Sequence, residues 1–171
     1  MSPHSVPTGT LEDARALIGY AGKPIKADVA IDRSLVLSLL AIIEDRNRSY
    51  WDPEYSRAMW GHEIAPPCLL TAVFTALRWS PGNNANPGTI ARTVVPLPGT
   101  MLINVSSSVT YHRQLRVGDW LSRAESLVDV SDEKQTRLGV GHFVTTRMTY
   151  IDESGDEVAY GDNILLRYES A

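Results

Sequence analysis

The apolar positions of the chain follow two regimes that meet near residue 100: helical spacing before it, strict alternation after it. Leu11, Ala14, Leu17 and Ile18 form a stripe that predicts a short helix over Leu11 to Ile18, stopped at Gly19. Lys26 to Ile31 reads as a brief strand, and Asp32 or Ser34 caps a second helix running to about Ile43. Leu69, Leu70, Val73, Phe74 and Leu77 recur three and four residues apart, flanked by Cys68, Ala72 and Ala76. That spacing predicts a helix from Pro66-Pro67 to about Trp79, apolar nearly all round and buried on most sides. Proline in its first turn costs no hydrogen bond. Ser80 to Thr100 carries Pro81, Pro87, Pro96 and Pro98 and is expected to be loop, with a short extended piece at Ile90 to Val95. A loop of that length is suspected of lining or covering a site.

From Met101 the period is two. Met101, Ile103, Val105, Val109 and Tyr111 fall on one face, with Asn104, Ser106, Ser108 and Thr110 on the other. Arg116 to Asp119 reads as a turn, Trp120 to Val130 alternates again, and Ser131 to Lys134 is a polar turn. Leu138 to Ile151 places Val140, Val144, Met148 and Tyr150 on one face. The turn Asp152 to Gly155 leads into a last strand with Val158, Tyr160, Ile164, Leu166 and Tyr168 in step. Four long strands joined by short turns predict an antiparallel meander, and helices followed by strands predict an α+β fold. The simplest packing wraps the curved sheet around the apolar helix.

The chain's 171 residues fit one domain, with residues 1–10 as a frayed lead-in and 11–171 as the folded unit. Lysine and arginine total 16 against 20 aspartates and glutamates, and no basic run occurs, which argues against nucleic acid as a partner. A single cysteine, Cys68, excludes an internal disulfide and a cysteine-rich metal site. No two of His4, His62, His112 and His142 stand at metal-ligand spacing, so no metal is expected. The chain holds no apolar run of about 18 residues and its first residues lack a signal pattern, so no membrane association and a cytoplasmic location are expected. Gly139-Val-Gly141 lacks the Gly-Lys-Ser/Thr of a phosphate loop and is read as a strand bend or close packing.

Candidate chemistry concentrates in Glu44 to Pro67, a polar and aromatic loop that runs into the apolar helix. Asn47, Tyr50-Trp51-Asp52-Pro53-Glu54-Tyr55 and Gly61 with Ile64-Ala65-Pro66-Pro67 resemble the MaoC-like hydratase/dehydratase group, and within it the FAS1-like dehydratase N-terminal half. Tyr111-His112-Arg113, Val117-Gly118-Asp119, Gly139 to Thr146 and Asn163 to Tyr168 fit the same family, so the resemblance spans roughly residues 10 to 169. It implies a hot-dog fold, a long curved antiparallel sheet wrapped around a central apolar helix. Active members are (R)-specific enoyl-thioester hydratases, with an Asp, then Asn-Pro two and three positions on, then a His five positions after the Asp. Here Asp45 and Asn47 keep their places, while Arg48 stands at the Pro and Tyr50 at the His.

The loss of that histidine decides the functional expectation. Hydration needs a group that shuttles a proton near neutral pH, which imidazole with a pKa of ~6.5 does. A phenol at ~10 is a poor replacement. The resemblance therefore implies a non-catalytic half that completes the acyl-CoA tunnel of a partner carrying the Asp/His dyad, the acyl-CoA being substrate and no cofactor being required. A pocket built by two halves with one dyad would suit a bulky acyl group, such as a steroid side chain. Two rivals stay open: a self-sufficient homodimeric hydratase using Asp45 with His62 or Tyr50, and a non-enzymatic acyl-thioester-binding module. A thioesterase is a weaker third. If the chain acts alone, Asp45, Tyr50 and His62 are the catalytic candidates. Asn47, Trp51, Gly61, Ile64, Ala65 and Pro66 are the substrate-binding candidates, with backbone N–H groups around Gly61 to Ala65 as an oxyanion hole. Against each stands a plainer role: Asp45 bonding local amides, Tyr50 and Trp51 packing, His62 hydrogen-bonded in its loop. Arg92, Arg113, Arg116 and Lys134 could meet CoA phosphates, although solvated surface accounts for each as well. Association through a sheet edge, with itself or with the catalytic half, is expected.

Overall fold

The computed structural model describes residues 6–75 and 89–169. Helix α1, Leu11–Arg15, opens with a reciprocal cap: the Thr10 hydroxyl accepts from the Asp13 N–H at 3.1 Å and the Asp13 carboxylate accepts from the Thr10 N–H at 2.9 Å. It stops short of Ile18: the Leu17 and Ile18 N–H groups bond only three residues back, to Ala14 and Arg15, and the Gly19 N–H then bonds the Leu127 carbonyl on the sheet. Strand β1 is only Ile25–Lys26. Helix α2, Arg33–Ile43, is capped by Asp32, whose carboxylate accepts from the Leu35 N–H at 2.7 Å, and it ends at Glu44 in a left-handed conformation. Helices α3, Arg48–Trp51, and α4, Pro53–Trp60, share Asp52, which ends the first and caps the second. Strand β2, Ile64–Ala65, leads to helix α5, Leu69–Ala72.

α5 is a single turn, shorter than the helix to about Trp79 that the apolar spacing predicts. The Phe74 and Thr75 N–H groups bond Thr71 and Ala72, three residues back, so the coil tightens as it leaves the α-helix. Leu69, Leu70, Val73 and Phe74 are nonetheless buried, as the spacing requires. The rest of that predicted helix, and Ser80 to Gly88 of the loop after it, lie outside the described residues. Ile90–Thr93 forms helix α6 rather than an extended piece.

The sheet comprises β3, Met101–Tyr111; β5, Ser122–Val130; β6, Lys134–Thr136; β7, Gly139–Ile151; and β8, Glu157–Tyr168, with β1 added at one edge. β4, Leu115–Arg116, pairs separately with β2. The order is β1-β5-β7-β8-β3, with β6 on β7. The expected meander is correct for β5, β7 and β8 but not for β3, which pairs with β8. Between β3 and β5 the chain stops to pair with β2 and to bond Ile31 through the Gly118 N–H, and this detour carries it across the end of the sheet.

Register fixes which side chains line the concave face. Successive rungs across β5, β7, β8 and β3 are Arg123, Tyr150, Ala159, Tyr111; then Glu125, Met148, Gly161, Val109; then Leu127, Thr146, Asn163, Ser107; then Val130, Val144, Leu165, Asn104. The face given to β3 by its alternation is therefore corrected. A bulge at Val105 turns Met101 and Ile103 to the convex side while Val109 and Tyr111 stay concave. Likewise Tyr160, Ile164, Leu166 and Tyr168 lie opposite the core rung residues Ala159 and Leu165.

Two apolar clusters sit against the concave face. One joins α2, α3, β2 and α5 to Leu115, Leu121, Tyr150 and Ala159; the other joins α1 and α6 to Leu127, Val130, Val144 and Leu165. Between them runs a polar belt of Glu125, Thr146, Asn163 and Ser107. Within it Ser107 Oγ donates to Asn163 Oδ1 at 2.7 Å, while Glu125 Oε1 and Thr146 Oγ1 are buried without a hydrogen-bond partner among the described residues.

Candidate functional site

The loop after α2 builds the site from local hydrogen bonds. Asp45 Oδ1 accepts from the Asn47 N–H at 2.8 Å, and Asn47 Oδ1 accepts from the Ser49 N–H at 3.0 Å, capping α3. The Trp51 indole N–H donates to the Asp45 carbonyl at 2.6 Å, folding the aromatic back over the loop. Arg33, from the first turn of α2, donates to the Tyr50 and Trp51 carbonyls and fixes the end of α3. An open cavity of ≈ 570 Å³ beside this loop is lined by Leu40, Asp45, Arg48 and Trp51 among others.

Tyr50 points the other way, into the core cluster. Burial first, then the neighbouring Asp45 carboxylate and Cys68, push its phenol above the ordinary range. Tyr111 of β3, more exposed than Tyr50, also lies near Cys68. Its hydroxyl donates to the Pro67 carbonyl at 2.8 Å, and burial, Tyr150 and Cys68 raise its pKa. Tyr50, Cys68 and Tyr111 thus lie near the start of α5, with Asp45 on the far side of Tyr50. Neutral phenols there can donate hydrogen bonds but are poor proton acceptors.

His62 belongs to a different cluster. Its Nε2 lies 3.2 Å from Arg116 Nε, and because a guanidinium only donates, the imidazole must be the acceptor with its proton on Nδ1. Burial, then Arg116 and Arg113, hold its pKa below the usual value, with Asp119 opposing them. Its one lone pair is spent on Arg116, and among the described residues no hydrogen bond links His62 to Asp45 or Tyr50. The expected oxyanion donors are also partly engaged. The Gly61 N–H bonds the Arg57 carbonyl and the Ile64 N–H bonds Ser56 Oγ at 3.0 Å. Ile64, Ala65 and Pro66 are buried beneath the site. α5, with 4 residues, is too short to build the aligned N-terminal dipole that a long central helix would supply.

Two participants were not singled out from the sequence. Cys68 reads as a small apolar flank of the helix, and Tyr111 as one of an alternating set. Only the adjacency of Tyr111 to His112-Arg113 marked its segment. Those neighbours turn out to be structural: Arg113 forks onto Asp119 at 2.8 and 3.0 Å and reaches Asp152 at 3.0 Å. Of the four basic side chains considered for CoA phosphates, Arg113 and Arg116 are thus engaged within the chain.

Residues 16–160 match the family described as FAS1-like, dehydratase domain region. The chain belongs to that family. The hot-dog architecture agrees: the crystal structure of the ChsH1-ChsH2 complex from Mycobacterium tuberculosis is similar with a TM-score of 0.76 over 94% of each chain, at 23% identity. R-hydratase PhaJ1 from Pseudomonas aeruginosa gives 0.56 over 90% of this chain and 83% of that one, at 19% identity. Among curated proteins, the family member is 29% identical over 152 residues to a probable enoyl-CoA hydratase alpha subunit of Thermomonospora curvata. It is 29% identical, again over 152 residues, to the 3-oxo-4,17-pregnadiene-20-carboxyl-CoA hydratase alpha subunit of Mycobacterium tuberculosis. Each alignment covers 86% of this chain and 48% of the relative, so the chain spans about half the length of the curated relatives it matches. Among the described residues no helix is long and apolar enough to cross a membrane.

Proposed function

We propose that this FAS1-like domain is the non-catalytic half of an (R)-specific enoyl-CoA hydratase or 3-hydroxyacyl-thioester dehydratase, completing the acyl-CoA tunnel of a hot-dog partner that carries the Asp/His dyad. The observation that carries the reading is the fate of the two groups able to replace the family histidine: Tyr50 is buried with a raised pKa, and the His62 lone pair is held by Arg116. Neither offers a free base beside Asp45, whose own carboxylate serves the Asn47 N–H. Strand β3 supports the partner. It is the last strand of the sheet, and its residues are exposed or half-exposed on both faces, Val105 50% and Val109 41% among them. An edge of 11 residues that no other strand pairs among the described residues invites pairing with a second chain. The relatives named as hydratase alpha subunits, one for a pregnadiene carboxyl-CoA, favour a bulky acyl group.

The test is hydration of crotonyl-CoA and of a bulky enoyl-CoA, with size read by light scattering. The chain is assayed alone and mixed with a MaoC-like chain bearing the complete dyad from the same source. Silence alone and turnover of the bulky substrate in the mixture is expected. Turnover by the chain alone, abolished in Asp45→Asn, would overturn the proposal in favour of a self-sufficient enzyme.

A further inference from the structure

A second cavity, of ≈ 480 Å³, lies on the concave face between the two apolar clusters, under α6 and the segment that precedes β1. Ile25, Ile90, Val94 and Met148 give it apolar walls; Arg123 and Glu125 of β5 border it. Glu125 is only 9% exposed. Its Oε2 accepts from the Ile90 N–H at 2.8 Å and so holds the first turn of α6, while its Oε1 is buried with no partner among the described residues. A buried carboxylate oxygen left unmatched costs free energy comparable to a lost hydrogen bond, so its retention beside a cavity points to a donor supplied from outside.

The charge around it selects the donor. Arg123 stands on the same face two residues away, and Lys23 also borders the cavity. Two cations disfavour an incoming ammonium group and leave a neutral hydroxyl as the better match. The volume admits a fused pair of saturated rings, and the walls suit it.

We propose that this cavity binds an apolar ring system bearing a hydroxyl group, which donates to Glu125 Oε1. Resting on the hydratase reading above, this site would hold the far end of the acyl group, and it makes the preferred substrate an alcohol rather than a ketone at that position. A ketone offers only an acceptor, which faces the carboxylate oxygen unfavourably.

The test uses 2-decalol and 2-decalone, one skeleton with the two functional groups, titrated into the full chain with labelled Ile, Val and Met methyls observed by NMR. The expected result is that the alcohol shifts the Ile25, Ile90, Val94 and Met148 methyls and binds about tenfold or more tightly than the ketone. Glu125→Gln, which can still accept from the Ile90 N–H, should erase that preference because its amide can donate to the ketone. Equal or tighter binding of the ketone, a preference that survives Glu125→Gln, or no shift of these methyls with either probe would each overturn the proposal. Neither probe carries CoA or a double bond. Absence of hydratase activity therefore leaves this outcome standing, and failure here leaves the hydratase reading standing.

Discussion

Replacing Arg113 with Met should be among the more damaging substitutions outside the apolar core. The guanidinium ties three separate segments: its own loop after β3, the β4–β5 turn through Asp119, and the β7–β8 turn through Asp152. Side-chain exposures of 21%, 10% and 19% for Arg113, Asp119 and Asp152 place the triad in a largely dry setting. Removing the cation leaves two carboxylates without a counter-charge. Breaking a buried pair from one side costs about 3–5 kcal/mol, and water reaching these partly exposed groups reduces that to about 2–4 kcal/mol. At ~2–4 °C per kcal/mol for a chain of this size, Tm should fall by about 5–15 °C. Urea unfolding followed by tryptophan fluorescence at pH 7 measures the free-energy loss and a thermal melt the fall in Tm, and Arg113→Lys should recover less than half, since an ammonium cannot fork onto Asp119. The pH dependence gives a second reading. Burial alone would raise the Asp152 pKa, but hydrogen bonds from Arg113 and from the Asp156 and Ser154 N–H groups outweigh it and hold the carboxyl below 3.8. A depressed carboxylate contributes stability that is present above the unfolded pKa and lost as pH falls through the folded one. The gap between wild type and Arg113→Met should therefore narrow below about pH 4. A loss under about 1 kcal/mol at pH 7, or a gap that is the same at pH 7 and pH 3, would refute the reasoning.

His62 is depressed below 6.5, so the stability it contributes is present above that value and is lost as pH falls from 6.5 towards its folded pKa. His62→Gln, which can still accept from Arg116, should flatten the fall in urea midpoint between pH 7.5 and 5.5; an unchanged slope would count against the lone-pair assignment. Asn47→Ala should cost about 1 kcal/mol by uncapping α3, whereas Asp45→Asn, which keeps an acceptor for the Asn47 N–H, should cost much less; the reverse order in thermal melts would show that the loop is held otherwise. A Cβ at Gly141 would run into the Arg167 backbone carbonyl oxygen, which cannot give way as a side-chain tip could, so Gly141→Ala should destabilise by about 2 kcal/mol or more, and a wild-type melting curve would refute that close approach.

What the sequence carries about this fold is the part that depends on local periodicity. Asp32 before an apolar run announces α2 and is its cap, and the turns at Arg116–Asp119 and Asp152–Gly155 close as read, with the Asp119 N–H on Arg116 and the Gly155 N–H on Asp152. Helix limits are less legible, because their partners are distant: the turns after α1 hand on to Leu127 through the Gly19 N–H, and the first N–H of α6 is held by Glu125, 35 residues away. No pattern within either helix contains those partners.

The bulge at Val105 shows why even strong alternation can misplace a face. Period two is preserved on both sides of it, so Met101, Ile103, Val105, Val109 and Tyr111 look like one stripe. One extra residue shifts the phase, and the two halves of the stripe face opposite ways. The functional consequence follows from that phase. With the bulge, Tyr111 faces Pro67 and joins Tyr50 and Cys68 at the start of α5; without it, the residues from Ser106 onward would slip by one against β8. The site was therefore only half legible: Asp45, Asn47, Tyr50 and Trp51 form one contiguous loop, but Tyr111 reaches it through a register that only the paired sheet defines. The same register places Glu125 and Thr146 in adjacent rungs between the apolar clusters, where a sequence reading sees one strand glutamate and one threonine among many.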